Sequence, residues 1–265
     1  MASVTLKDIA QALGLSISTV SRALRDSYEI NPETRRLVME YAEKLHYQPN
    51  PIALSLKDHR SRSIGVIVPE IANTFFSEAI NGIEDVAYGR GYHVVISQTH
   101  EAYEREVANA HYLASRRVDG LIVSLSSQTT DLSHFSDLHE KGWPLVFFDR
   151  VPLNRLPENL KTHTVVADNA KGAYAATVHL LQAGCRAIAH LAMPPWMSIS
   201  TERLEGYRRA LSEYGVPYRT DYVRHFEQER VRPEEIGGVL MEWMQRPDAP
   251  DAILGASDRL TVGCL

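Results

Sequence analysis

The sequence predicts two unlike parts in one chain: a small all-α headpiece with a hinge, then an α/β core built on parallel sheet. Three observations carry this. Residues 5 to 47 hold three short amphipathic helical patterns, prolines at Pro49 and Pro51 interrupt the chain, and beyond Ser63 short apolar runs alternate with longer amphipathic ones. That alternation is the trace of repeated strand-helix-strand units, which close as parallel sheets.

In the first pattern Leu6, Ile9, Ala10 and Leu13 share one helical face, and Gly14 supplies a turn. Ile17, Val20, Ala23 and Leu24 begin a second face at once, which is helix-turn-helix spacing. Thr5 stands three residues ahead of Asp8, where it can satisfy first-turn amides, and Ser16 does the same for the second helix. Asn31 followed by Pro32 and Glu33 opens a third helix, whose Leu37, Val38, Tyr41, Ala42 and Leu45 are placed to pack back.

The second helix of a helix-turn-helix enters the major groove by its N-terminal residues, so these need to be small or hydrogen-bonding. Ile17, Ser18, Thr19, Ser21 and Arg22 fit, and of this set Arg22 alone can make a bidentate contact to guanine. A plain three-helix domain with capping serines would share much of this pattern. The segment after Tyr47 tips the reading toward DNA: Ile52 to Lys57 has helical composition, yet it is too short to hold without a partner. It is expected to fold as a hinge helix on DNA.

A length of 265 residues suggests more than one domain, and 44% hydrophobic residues suffices for packed cores. The net charge of −5 divides by region. Nine Lys/Arg stand against seven Asp/Glu through Arg62, a net +2, and nineteen stand against twenty-six beyond it, a net −7. The basic balance sits where DNA would bind. The N-terminus lacks a secretion-signal pattern and no apolar run reaches membrane-spanning length, so the expected location is cytoplasmic. Cys185 and Cys264 stand alone and read as buried reduced thiols.

In the core, strands are expected at Ile64 to Val68, His93 to Ser97, Gly120 to Leu125, Leu145 to Phe148, Thr164 to Ala167, Ala187 to Ala192 and Ala252 to Gly255. Helices are expected at Phe76 to Tyr88, Glu104 to Ser115, Ala170 to Leu181, Glu202 to Tyr214 and Pro233 to Met244. Open parallel sheets bind ligands beyond the strand carboxyl ends, so the loops after each strand are where a site belongs.

Those loops mix acids, arginines and aromatics, which suits a polyol: hydroxyls for Asp and Arg, an apolar ring face for Phe or Trp. The candidates are Phe75, Phe76, Asp149, Arg203, Asp258 and Trp196. Each has a plainer role available. The phenylalanines could staple a helix to the sheet, Arg203 could pair with Glu202 or Glu205, and Trp196 could pack on Pro194 and Pro195. Catalytic signatures are missing: there is no Gly-x-Ser-x-Gly, no phosphate loop and no His-Glu-x-x-His, and the eleven histidines lack metal-ligand spacing. No catalytic residue, metal or cofactor is expected, and a sugar-processing enzyme is the remote alternative.

Four segments together resemble the lactose-repressor (LacI/GalR) family of transcription regulators: Thr5 to Ala10, Ser18 to Leu24, Asn31 to Arg35, and Tyr47 to Pro51 ending in Ser55-Leu56-Lys57. The resemblance implies a core of two lobes like the periplasmic sugar-binding proteins, with Phe75, Phe76, Asp149, Arg203 and Asp258 lining an effector cleft. It also implies that Leu56 wedges between base pairs in the minor groove, with Ala53 facing the same groove and Lys57 beside it. The implied function is a homodimeric regulator, a repressor, on pseudo-palindromic double-stranded operator DNA, controlled by a carbohydrate-like effector. Purine-binding relatives keep a nucleobase open.

The expected domains are 1–47 for the headpiece, 48–62 for hinge and linker, 63–163 for the first lobe and 164–265 for the second. The sequence ends at Leu265, where the family pattern runs on through further elements, so the second lobe is expected to be incomplete. The competing expectation is a truncated fragment that reaches DNA or a partner without responding to a ligand.

Overall fold

The computed structural model describes residues 4–25, 28–47, 60–151, 159–160, 162–227 and 231–265. The expected hinge residues Ala53, Leu56 and Lys57 lie outside them. The chain divides into two compact units, Met1–Ser61 and Arg62–Leu265.

The first unit is the expected trio of helices, α1 (Leu6–Leu13), α2 (Ile17–Ala23) and α3 (Pro32–Lys44). Their ends follow from the capping residues. Asp8 N–H donates to Thr5 Oγ1 at 3.3 Å while Thr5 N–H donates back to Asp8 Oδ2 at 2.8 Å, closing a reciprocal box. Gly14 ends α1 at φ +66°, a conformation that a Cβ makes costly. Ser16 accepts from Thr19 N–H, and Asn31 accepts from Glu33 N–H ahead of Pro32. Ile9, Val20, Ala23 and Val38 are fully buried at the centre. Leu37 departs from expectation: it is 49% exposed, because Val38 and Ala42 occupy the inward face of α3 and Leu37 points away from it.

The second unit contains two parallel sheets. In the larger, β1 (Ser63–Val68), β2 (His93–Gln98), β3 (Gly120–Val123), β4 (Leu145–Phe148) and β5 (His163–Val165) run in the order β2-β1-β3-β4-β5. Helices α4 (Thr74–Gly89), α5 (Tyr103–Ser115) and α6 (Ser133–Glu140) connect its first four strands. After α7 (Asn169–Gln182) comes the smaller sheet of β6 (Ile188–Ala192), β7 (Val223–His225) and β8 (Ala252–Gly255), ordered β7-β6-β8. Helices α8 (Ser198–Glu213) and α9 (Pro233–Met244) link these strands, and α10 (Asp258–Val262) follows β8.

Each sheet packs a core on both faces. Ile67, Leu121, Val123 and Phe147 join Leu113 of α5 and Phe135 of α6 on one side of the large sheet, while Val66 and Val68 join Phe76 and Ile80 of α4 on the other. In the small sheet, Ala189 and Leu191 meet Ile236 and Trp243 of α9, and Ile188 meets Tyr207 and Leu211 of α8.

The departures from the sequence reading have local causes. β5 starts one residue early and pairs with β4, Phe147 opposite Thr164, so the first sheet runs past the expected boundary at residue 163. Helix α6 and strand β7 went unforeseen; α6 mixes two histidines with Asp and Glu, and β7 has only three residues. Helix α8 begins at Ser198 rather than Glu202, since burial of Ile199 and Ser200 carries the helix through a polar stretch that reads as loop. Arg203 therefore sits in the second turn of this helix and not at its first residues. Cys185 and Cys264 are free thiols but only partly buried.

Close approach of α7 and α8 depends on Gly206, whose absent Cβ would fall 2.0 Å from the Ala170 carbonyl oxygen.

Candidate functional site

In both all-parallel sheets the order in which strands are added reverses beside the first strand, between β1 and β3 and between β6 and β8. At such switch points the loops leaving the carboxyl ends diverge and open a crevice. A cleft of about 420 Å³ lies there, lined by Asn73, Phe75, Phe76, Asp149, Arg150, Met193, Ile199, Arg203, Ser257 and Asp258 among others. Its polar groups come from the ends of β1, β4, β6 and β8, so all four strand ends contribute.

The structure brings five of the six expected effector residues together in this cleft and leaves one out. Phe75 is 48% exposed, whereas Phe76 is buried edge-on to Phe148 with ring centroids 6.2 Å apart. The Arg203 side chain is tied to two neighbouring segments. Its Nε donates to Asn169 Oδ1 at 3.0 Å and its Nη1 donates to the Ala256 carbonyl at 2.5 Å, which fixes the guanidinium plane. Trp196 is the exception. Its indole N–H donates to the Ser127 carbonyl at 2.8 Å, and the ring lines a separate cavity of about 60 Å³ with Leu125, Leu132, Val151 and Met197.

Asp149 is held in an unusual state. Its φ of +56° lies in the left-handed region, which costs a non-glycine residue on the order of 1–3 kcal/mol. Burial pushes its carboxyl pKa upward, and the charges of Arg150 and Arg203 oppose that shift without cancelling it. A raised folded-state pKa means that stability is greatest below the ordinary carboxylate value and declines as pH rises through the raised one. Asp149→Asn should therefore gain in melting temperature relative to the parent as pH rises across that window, and match it most closely at the acid end. A difference independent of pH would remove the buried carboxylate as its cause.

Beneath Asp149, Arg150 is buried and donates to Glu101 at 2.7 and 2.9 Å, while its guanidinium lies 5.5 Å from the Phe76 ring centroid. Glu101 also accepts from Ser127 N–H at 2.7 Å. Arg150 thus braces the floor instead of presenting its charge. Across the cleft, Asn73 donates from Nδ2 to Asp258 Oδ2 at 3.0 Å, and Arg259 pairs with Glu70. The same Asn73 caps α4 by accepting from Phe75 N–H. Asn73, Asn169 and Ser257 were not anticipated as site residues, although an Asn just ahead of a helix and just after a strand is a readable signal for the first of them.

In the headpiece, α2 turns Val20 and Ala23 inward and leaves Ile17, Ser18 and Arg22 exposed, Ile17 at 50%. Ser21 is half-buried at the edge of that face. Thr19 is half-buried too, its hydroxyl 2.8 Å from Ser16 Oγ, so it serves the helix cap. Ser18 Oγ also lies 2.8 Å from Ser16 Oγ, which fixes its rotamer. Among the described residues no group of His, Cys, Asp and Glu could hold a metal ion, and no helix is long and apolar enough to cross a membrane.

Comparison with known proteins gives a consistent pattern. Residues 61–265 match the family of periplasmic binding proteins and sugar binding domain of LacI family, and residues 5–50 match the bacterial regulatory proteins, lacI family. The HTH-type transcriptional repressor PurR of Vibrio campbellii is 32% identical over 219 residues, 83% of this chain and 64% of the relative. The ribose operon repressor of Halalkalibacterium halodurans is 34% identical, over 80% of this chain and 61% of the relative. The chain therefore spans less than two thirds of the length of these relatives. The fold of the lac repressor dimer bound to operator and the anti-inducer ONPF superposes with a TM-score of 0.79 at 24% identity, covering 99% of this chain and 76% of that one.

Proposed function

This chain belongs to the LacI family of bacterial regulatory proteins, and from that premise we propose that it is a sequence-specific transcriptional regulator, a repressor, acting on double-stranded operator DNA under control of a small carbohydrate-like effector. The observation that carries the reading is the pairing, in one chain, of an exposed hydrogen-bonding face on α2 with a cleft that gathers Asp149, Arg203, Asp258, Phe75 and Phe76. Vicinal hydroxyls suit two carboxylates and a fixed guanidinium, and the exposed Phe75 ring offers a face for a sugar ring.

In this reading residues 1–47 dock Ile17, Ser18 and Arg22 in the major groove, and residues 48–62 form the hinge, with Leu56 wedged in the minor groove beside Ala53 and Lys57. The two lobes, dividing after β5 at Val165, set the hinge spacing within a cytoplasmic homodimer on a pseudo-palindromic site. The protein is a regulator and not an enzyme.

The test is selection of operator from a random duplex library, with a palindromic site expected. Arg22→Ala should weaken binding to that site by about 1–3 kcal/mol and relax base preference at one position per half-site. A uniform loss on every sequence would make Arg22 a phosphate contact instead. Leu56→Ala should keep salt-sensitive non-specific binding while losing DNA bending and most operator preference. Equal bending of mutant and parent in circular-permutation gels would show that Leu56 does not wedge. A thermal-shift screen of monosaccharides against nucleobases then identifies the effector class, and a response to nucleobases alone would overturn the carbohydrate assignment.

A further inference from the structure

We infer that Glu29 positions Arg22 for base reading, so that specificity in this headpiece depends on a carboxylate paired with the reading arginine. The inference rests on the DNA-binding reading above and adds a residue to it. Arg22 Nη1 lies 3.0 Å from Glu29 Oε2, with the two side chains 56% and 48% exposed. An ion pair this open contributes little to folding, so stability is a poor account of why an acid stands here. It is also the wrong sign for a phosphate-facing surface.

The geometry supplies a better account. Glu29 is presented from a pinned backbone: the next residue, Ile30, packs against the headpiece core, and the one after it, Asn31, caps α3 by accepting from Glu33 N–H at 2.8 Å. The backbone that presents the carboxylate is therefore held in place, while Arg22 occupies the last turn of α2 on a long flexible stem. A guanidinium carries five N–H donors in a planar fork. Glu29 engages it at Nη1, and the edge made by Nε and Nη2 has no partner among the described residues. Guanine presents N7 and O6 to such an edge. Fixing one side of the plane removes rotamer freedom that Arg22 would otherwise lose on binding, and it orients the other side toward a base pair in place of the nearest phosphate.

The two effects of Glu29 have opposite signs, and this makes the role measurable. Its charge disfavours all DNA equally, whereas its positioning favours only the sequence with guanine at the Arg22 position. The experiment uses the full chain as parent, Glu29→Gln, Arg22→Ala and the double variant. Fluorescence anisotropy is measured on the selected operator, on a scrambled duplex, and on operators with each guanine replaced in turn, all at one salt concentration. Glu29→Gln should bind the scrambled duplex as well as the parent or better, while its ratio of operator to scrambled affinity falls about fivefold, the lower end expected for a lost bidentate pair. The loss should fall at the same guanine that Arg22→Ala stops reading, and the double variant should lose no more ratio than Arg22→Ala alone. Glu29→Asp, which keeps the charge, should recover part of the ratio, and unchanged melting temperatures would separate positioning from folding. A ratio that stays level or rises in Glu29→Gln would overturn the inference and make Glu29 a competitor for Arg22. Failure of the parent to enrich any sequence would instead remove the DNA-binding reading itself.

Discussion

Arg203→Ala is expected to abolish the effector-induced rise in melting temperature and to weaken effector binding by roughly tenfold to a hundredfold, the range set by about 1.5–3 kcal/mol for hydrogen bonds to a charged group. The prediction follows from how the guanidinium is held. Asn169 takes Nε and the Ala256 carbonyl takes one side of Nη1, so the group stands in the cleft with its plane fixed before any ligand arrives. Preorganisation of this kind is what makes a charged donor selective for one arrangement of hydroxyls. Arg203→Lys keeps the charge but loses the planar fork, and should recover little. The check is calorimetric titration with whichever sugar gives the largest thermal shift for the parent. Binding within twofold of the parent in Arg203→Ala would mean that Arg203 only bridges α7 to the turn after β8.

Gly206→Ala should be the more damaging substitution for the fold. The new Cβ would sit 2.0 Å from the Ala170 carbonyl oxygen and 2.9 Å from Tyr174 N, both backbone atoms of α7, so the helices must separate. Overpacking costs about 1–3 kcal/mol and sometimes more, which outweighs the roughly 1 kcal/mol that alanine gains over glycine within a helix. For a domain of this size each kcal/mol moves the melting temperature by about 2–4 °C. Gly237→Ala in α9 is the internal control, because its Cβ would meet nothing within 4 Å and only the propensity gain should remain. Thermal melts of the two variants should shift in opposite directions. A Gly206→Ala protein as stable as the parent would show that α7 and α8 can move apart at little cost.

The Arg203 and Gly206 predictions bear on one another. Helix α8 carries Arg203 toward the cleft and Gly206 against α7, three residues and nearly one turn apart. Forcing α8 outward should therefore also disturb Arg203, and Gly206→Ala is expected to weaken effector binding beyond what its stability loss explains.

Much of this protein is legible in its sequence because the signals are local. Thr5 with Asp8, Ser16, and Asn31 before Pro32 each determine a helix start through bonds spanning two or three residues, and all three form as written. Apolar runs such as Gly120–Val123 and Leu145–Phe148 are strands because burial on both faces needs continuous hydrophobic stretches. The rule that parallel sheets open at their carboxyl ends, joined to the residue types a polyol needs and to the family resemblance, selects Phe75, Phe76, Asp149, Arg203, Asp258 and Trp196. What only the tertiary structure decided are the relations between segments distant in sequence. Trp196 reads like its five companions, yet its indole N–H reaches Ser127, 69 residues away, and draws the ring into another cavity. Asn73 is visible as a helix cap, but its second bond, to Asp258, spans 185 residues. Arg150 follows Asp149 at the end of β4, and only the distant Glu101, 49 residues away, decides that its guanidinium becomes a buried brace in the cleft floor. Local patterns fix where a side chain starts along the backbone; its partner is chosen when two strand ends meet, and a linear pattern holds no record of that encounter.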